Sequence, residues 1–290
     1  VPTLLAPAKI NVTLEVLARR DDGYHTLRSV MLPVGLYDRI DLDSSAQASF
    51  VSNDPSIASE NLITRALAAT CPGNAYAVRL HKAIPIGGGL GGGSSDAAAI
   101  VRAAMDGTLA GRSAADWLAL ARELGSDVPF FLVGTGALVE GTGDRVTALG
   151  ALPAWWALVV RPRASVSTGD AYRRLDAARD ASGGPPSRAR NESASLAAVD
   201  AVQRGDFAAL VRELHNDFHD VVLDAYPAVA RAYASLLAAG AEHALLSGSG
   251  SCLFALFEAE APARAAAARV EPDAVAAVYA VPLHHDGAWR

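Results

Sequence analysis

A chain of 290 residues, 51% of them apolar and few of those aromatic, can build one large domain or two ordinary ones around a core of Ala, Val and Leu. A net charge of −6 excludes nucleic acid or an anionic membrane as the main partner, since both need a basic surface, but leaves room for one phosphorylated ligand in a local site. The two cysteines, Cys71 and Cys252, make neither a disulfide framework nor a metal cluster and read as unpaired thiols in a reducing compartment.

The stretch "VPTLLAPAKINVTLEVL" lacks the basic segment and apolar core of a secretory signal. No apolar run reaches the roughly 20 residues of a membrane helix, so a soluble cytoplasmic protein is expected. Within that stretch Ile10, Val12, Leu14 and Val16 alternate with Lys9, Asn11, Thr13 and Glu15, the pattern of a half-buried strand. Parity puts Lys9 and Asn11 on one face. "RRDDGYHTL" reads as a turn with Gly23 at positive φ, and strand-like runs follow around 28–43 and 76–81.

"IPIGGGLGGGSSDAAA" (84–99) then places six glycines in seven positions before a helix predicted from about Ser94 to Met105. Each glycine costs roughly 0.5–1 kcal/mol relative to alanine, so bare backbone must be needed there. A Walker loop fails for want of a lysine. The dinucleotide spacing of Gly87, Gly89 and Gly92 fails because the acidic strand end expected about 20 residues later falls at a helix start. What fits is a loop leading into a helix N-terminus, whose N–H groups and dipole hold phosphate, with Ser94, Ser95 and Asp96 as capping groups or hydroxyls.

"SAADWLALARELG" opens on Ser113 and Asp116 as a capping-box start and ends at Gly125. "SDVPFFLVGTGALVEG" returns to strand character, and the pause at "GALPAWW" marks a boundary between a first unit (1–152) and a second (153–290). The second unit opens with the strand "WALVVRP" and continues into helical patterns. The stretch 176–195 reads as a mobile polar loop, and helices are predicted around 196–215 and 226–240. His215, Asn216 and Asp217 read as a solvated helix face. "HALLSGSGSCLFALF" reads as strand, glycine turn, strand, followed by an Ala-rich helix and a last short strand. His284 and His285 lack acidic or cysteine partners and are assigned no metal.

"PIGGGLGGGSSDAA" resembles the phosphate loop of the small-molecule kinases that include galactokinase, homoserine kinase and mevalonate kinase, the GHMP kinases, and "SGSGSCLFALF" resembles their third motif. "APAKINVTLEVLARRDDGYHTLRSV" and "LGSDVPFFL" resemble the members of that family acting on a CDP-linked methylerythritol, although serine stands where alanine is frequent before Asp127. The resemblance implies a two-domain α/β (α+β) fold with its active site in the cleft between the domains. It also implies ATP-dependent phosphorylation of the C2 hydroxyl of the methylerythritol in isoprenoid precursor synthesis. By resemblance Lys9 and Asp127 are the catalytic pair. Pro85, Ile86, Gly87, Gly88, Gly89, Leu90, Gly91, Gly92, Gly93, Ser94 and Ser95 hold the triphosphate, and Asn61 and Lys82 border the adenine. Asn11, Tyr24, His25, Thr168, Tyr172 and Gly248 meet the substrate, with Tyr24 and His25 serving the cytosine and Tyr172 completing a sandwich. Mg²⁺ is expected to shield the phosphates, with Ser95 a candidate ligand.

The chemistry suits these residues. Asp127 is expected to stand beside the Lys9 ammonium as a charge pair. A carboxylate ionising near pH ~4 is a weak base for an alcohol, which implies late proton transfer with Asp127 orienting the nucleophile. A kinase of the same family acting on homoserine, mevalonate or a sugar would not need a grip on a base. A non-catalytic nucleotide or RNA binder would lack Lys9 or Asp127 or carry a basic stripe, and this chain does neither.

Overall fold

The computed structural model describes residues 2–20, 23, 25–110, 116–181 and 193–283. In chain order the first half supplies strands β1 (Thr3–Arg19), β2 (His25–Ser44) and β3 (Ser49–Ser52), helix α1 (Leu62–Thr70) and strand β4 (Tyr76–His81). Helices α2 (Gly92–Met105), α3 (Trp117–Leu124) and α4 (Val128–Val133) and strands β5 (Ala137–Gly141) and β6 (Arg145–Ala148) follow. The second half runs β7 (Trp156–Pro162), α5 (Thr168–Ala181), α6 (Ala194–Arg204), α7 (Phe207–Glu213), β8 (His215–Asn216), α8 (His219–Ala225) and α9 (Pro227–Ala238). It closes with β9 (Leu245–Leu246), β10 (Leu253–Phe257), α10 (Glu260–Ala267) and β11 (Val275–Pro282).

Two sheets organise these elements. A seven-stranded sheet runs β3-β4-β2-β1-β8, with β5 on the other part of the long β2 and β6 beside it; a four-stranded antiparallel sheet runs β11-β7-β10-β9. One face of the first sheet packs Ala6, Ile40 and Leu42 against Ile63 of α1, Ile100 of α2 and Phe130 of α4. Ala8, Ile10, Val12 and Leu32 pack instead with Val159 and Phe254 of the second sheet and Ala198 of α6, so an apolar core joins the two halves. The far face of the second sheet packs Leu158, Val160 and Leu253 with Phe218, Val222 and Leu236. Burial on this scale, at roughly 25 cal/mol per Å² of apolar surface, is what holds the halves together.

Several expectations need correction. β1 is buried on both faces, because Lys9, Asn11 and Thr13 are covered as completely as Ile10 and Val12. A register shift between Asn11 and Thr13 moves the strand from one core to the next. Residues 128–133 form helix α4: Pro129 sits in its first turn, where the missing N–H costs nothing, and Gly134 at φ 79° ends it. Residues 176–181 belong to α5, and the helix predicted around 196–215 is two helices broken at Gly205 (φ 67°) and capped anew by Asp206. Asp116 caps α3, its side chain accepting the Ala119 N–H; Ser113 lies outside the described residues, as do Tyr24, residues 182–192 and the His284–His285 pair. Gly23 does adopt positive φ, at 85°, and Gly125 does end α3. Among the described residues no single helix is long and apolar enough to cross a membrane.

Candidate active site

The glycine stretch becomes a loop and then the first turn of α2, which begins two residues earlier than predicted. Gly91, at φ 72°, is the N-cap and brings no side chain. Ser94, Ser95 and Asp96 therefore do not cap the helix; its first N–H groups are left for a ligand, as an anion site requires. A cavity of about 470 Å³ opens over this turn, lined by Asn61, Leu62, Lys82, Ile86 and the glycines to Ser94. Ser95, next along the helix, is fully buried, and its hydroxyl oxygen has no hydrogen-bond partner among the described residues.

Both residues expected at the adenine line this cavity, but each also has a structural task. Asn61 caps α1 through a capping box with Thr64. Lys82, buried, places its ammonium between the carboxylates of Asp38 and Asp96, 2.9 Å from the latter. Asp38 also accepts the Ala83 and Ile84 N–H groups at 2.7 and 2.9 Å, so the triad fixes the chain where the glycine stretch begins. Burial, partly countered by the Lys82 ammonium, pushes the Asp96 carboxyl up to about 7. The sequence carries a trace of Asp38: it shares parity with Leu36, Ile40 and Leu42, an acid on the core-facing side of a strand.

Lys9 reaches across from β1. Its Nζ donates to the Gly89 carbonyl at 2.8 Å and to Asn11 Oδ1 at 2.5 Å, and lies 3.7 Å from Asp127 Oδ2. Burial lowers its pKa below the ordinary 10.5, and the Asp127 charge opposes that shift. Asn11 is itself fully buried, and its amide donates to Ser29 Oγ at 2.8 Å, so its polar ends are occupied in holding Lys9. Asp127 stands at the N-cap of α4 in α conformation, accepts no cap hydrogen bond and is 29% exposed. Its carboxylate is thus open to solvent on one side and faces Lys9 on the other.

A second cavity, of about 860 Å³, opens beside the start of α4. Ser126 and Pro129 on either side of Asp127 line it, with His25, Arg122, Thr168 and Tyr172. His25 stacks on Tyr172 (centroids 4.9 Å apart, 21° between planes), and its Nε2 is 2.9 Å from Asp176 Oδ1. His25 therefore covers one ring face of Tyr172 itself, and Phe218 meets the same ring edge-on at 4.8 Å. Thr168 Oγ1 lies 2.9 Å from Ser249 Oγ, which ties it to the second glycine loop.

That loop packs directly on the first. Ser247 Oγ donates to the Gly89 carbonyl at 3.0 Å and Cys252 N–H to the Gly88 carbonyl at 3.1 Å. A Cβ on Gly89 would fall 2.0 Å from the Ser247 carbonyl oxygen, and one on Gly248 would fall 3.4 Å from Lys9 Nζ. The structure so brings together Lys9, Asn11, Asp127, the glycines and Gly248 at one point, with Thr168, Tyr172 and His25 on the second cavity and Asn61 and Lys82 on the first. Sequence reasoning missed Ser247, Asp38 and Asn216. The trio 215–217 is no solvated helix face: His215 and Asn216 form β8, and Asp217 accepts from the Val16 N–H at 2.7 Å.

Comparison with known proteins gives the family. The GHMP kinases N terminal domain matches residues 61–135 and the GHMP kinases C terminal matches residues 198–276. A 4-diphosphocytidyl-2-C-methyl-D-erythritol kinase of Symbiobacterium thermophilum is 42% identical over 84% of this chain and 86% of its own length. One of Pelotomaculum thermopropionicum is 39% identical over 92% of this chain and 93% of its own. A crystal structure of 4-(cytidine 5'-diphospho)-2C-methyl-D-erythritol kinase superposes with a TM-score of 0.78 at 35% identity, covering 97% of this chain and 99% of that one. Homoserine kinase from Cytophaga hutchinsonii shares the fold, with a TM-score of 0.72 at 21% identity over 98% of this chain and 95% of its own. The chain is a small-molecule kinase and belongs to the GHMP kinases, in the family of the 4-diphosphocytidyl-2-C-methyl-D-erythritol kinases.

Proposed function

We propose that this chain transfers the γ-phosphoryl group of ATP to the C2 hydroxyl of 4-diphosphocytidyl-2-C-methyl-D-erythritol, as a cytoplasmic enzyme of isoprenoid precursor synthesis. The observation that carries this reading is the Lys9–Asp127 pair set against the Gly89 carbonyl of a loop that lines one cavity and runs into a helix N-terminus with no side-chain cap. In the reaction the substrate oxygen bonds to the γ-phosphorus, the bond to the β–γ bridging oxygen breaks, ADP leaves, and the hydroxyl proton passes to Asp127 as transfer completes. Because such transition states are loose, positioning and charge stabilisation do most of the work. Lys9 counters the charge gathering on the transferred group, with Asn11 holding its ammonium. Gly87 to Ser94 offer backbone N–H groups to the triphosphate.

The Ser95 hydroxyl, without a hydrogen-bond partner among the described residues, would help to hold Mg²⁺ at the loop, where the ion would shield the phosphate charge from the incoming oxygen. Thr168, on the second cavity, and Gly248, beside Lys9, serve the reacting end, and Tyr172 and His25 on the second cavity serve the cytosine, the role expected also of Tyr24. Stacking of a base on such rings contributes about 1–3 kcal/mol in nucleic-acid systems. The division into units 1–152 and 153–290 assigns the ATP loop to the first and Thr168, Tyr172 and Gly248 to the second.

The test is ADP release with Mg-ATP and, in parallel, 4-diphosphocytidyl-2-C-methyl-D-erythritol, mevalonate and homoserine. Turnover with the CDP compound alone is expected. Turnover with mevalonate or homoserine instead would keep the kinase and overturn its substrate.

A further inference from the structure

Asn216 is buried, and every polar atom of its side chain is committed. Its Nδ2 donates to the Leu246 carbonyl at 2.7 Å and to the Gly248 carbonyl at 2.8 Å, and its Oδ1 accepts the Phe218 N–H at 2.9 Å. Two carbonyls on one end and an N–H on the other fix the amide's orientation, because the flipped amide would oppose like groups at all three contacts. The two carbonyls flank a single residue, Ser247. One nitrogen thereby holds the backbone on both sides of the serine whose hydroxyl donates to Gly89.

The amide is in turn anchored to the strand that carries Lys9. β8 pairs parallel with β1, Leu14 opposite Asn216, and the Asp217 N–H donates to the Leu14 carbonyl at 3.0 Å. The contacts close a ring: from Lys9 along β1 to Leu14, across to Asn216, through Gly248 and Ser247 to the Gly89 carbonyl, and back to Lys9 Nζ at 2.8 Å. We propose that Asn216 is a positioning residue for phosphoryl transfer, setting the 246–250 loop so that Gly89 and Lys9 stand in register with the transferred group. It touches neither nucleotide nor alcohol and acts through the loop. Ser247 and Gly248, at φ 57°, leave no slack, since the loop's backbone already lies against Gly89. The inference rests on the kinase reading above.

The experiment is Asn216→Asp, which keeps the acceptor for Phe218 and sets a carboxylate oxygen against two carbonyls. kcat at saturating ATP and CDP-linked alcohol, counted per folded molecule, is expected to fall about 10–100-fold, the scale of a small misplacement of a catalytic group. KM for each substrate should change less than about threefold, since binding surfaces are untouched. Asn216→Ser retains one donor and should recover part of the lost kcat; it also stands in if the aspartate variant does not fold. Loss confined to the folded fraction, with kcat per folded molecule equal to that of the unaltered chain in either variant, would overturn the proposal. Silence of the unaltered chain itself would instead sink the kinase reading, and this inference with it.

Discussion

Lys9 concentrates the chemistry of this protein in one atom. Its amine is buried, donates to the Gly89 carbonyl and Asn11 Oδ1, and faces the Asp127 carboxylate. Because burial holds its pKa below 10.5, activity that needs the ammonium must decline on the alkaline side before a free lysine would titrate. We expect a pH–rate profile whose alkaline limb falls short of pH 10.5, and loss of that limb in Lys9→Arg, whose residual rate should be down about 100-fold from the altered donor geometry. An unchanged limb in the arginine variant would remove Lys9 from the reaction. Lys9 was legible in the sequence through its place on a strand and its resemblance to a known motif. Its ring of support was not: an inward amide such as Asn216 gains meaning only when strands far apart in sequence are paired.

At the scale of elements the glycine loop explains its own composition. At Gly89 a second backbone lies against the chain, and at Gly91 and Gly92 the side chains of Phe131 and Lys82 take the space. Gly89, at φ 75°, has no room for a methyl group, whereas Gly73, at φ 84°, has nothing within 4 Å of a Cβ. Gly73→Ala should therefore cost only the left-handed strain of alanine, about 1–2 kcal/mol. Gly89→Ala should cost clearly more and lower ATP affinity at least about tenfold. Thermal melts and nucleotide titration of the two variants decide this, and equal costs would refute the close approach of the two loops. The loop and the strands around it were legible because glycine runs and alternation are local signals. The helical state of 128–133 was not, since a short apolar run with a proline fits either structure and only packing against α2 and β6 decides. The break at Gly205 was missed for a related reason, an apolar periodicity that continues across it.

At the scale of the molecule, β1 takes part in all three apolar cores and carries the reactive lysine, so catalysis and the joining of the halves depend on the same strand. This is why its polar residues are buried where alternation alone predicted an exposed face. Asp127 faces Lys9 at the head of a helix pinned by Arg102, whose guanidinium donates to the Phe131 carbonyl at 2.6 Å, and its neighbours Ser126 and Pro129 line the second cavity. The central claim is that this carboxylate acts on the alcohol during transfer and contributes little to holding the substrate. The most direct measurement is kcat and the dissociation constant for 4-diphosphocytidyl-2-C-methyl-D-erythritol in Asp127→Asn. The account predicts a fall in kcat of at least about 100-fold with binding changed less than about threefold. Equal losses in both would contradict it and make Asp127 a binding residue.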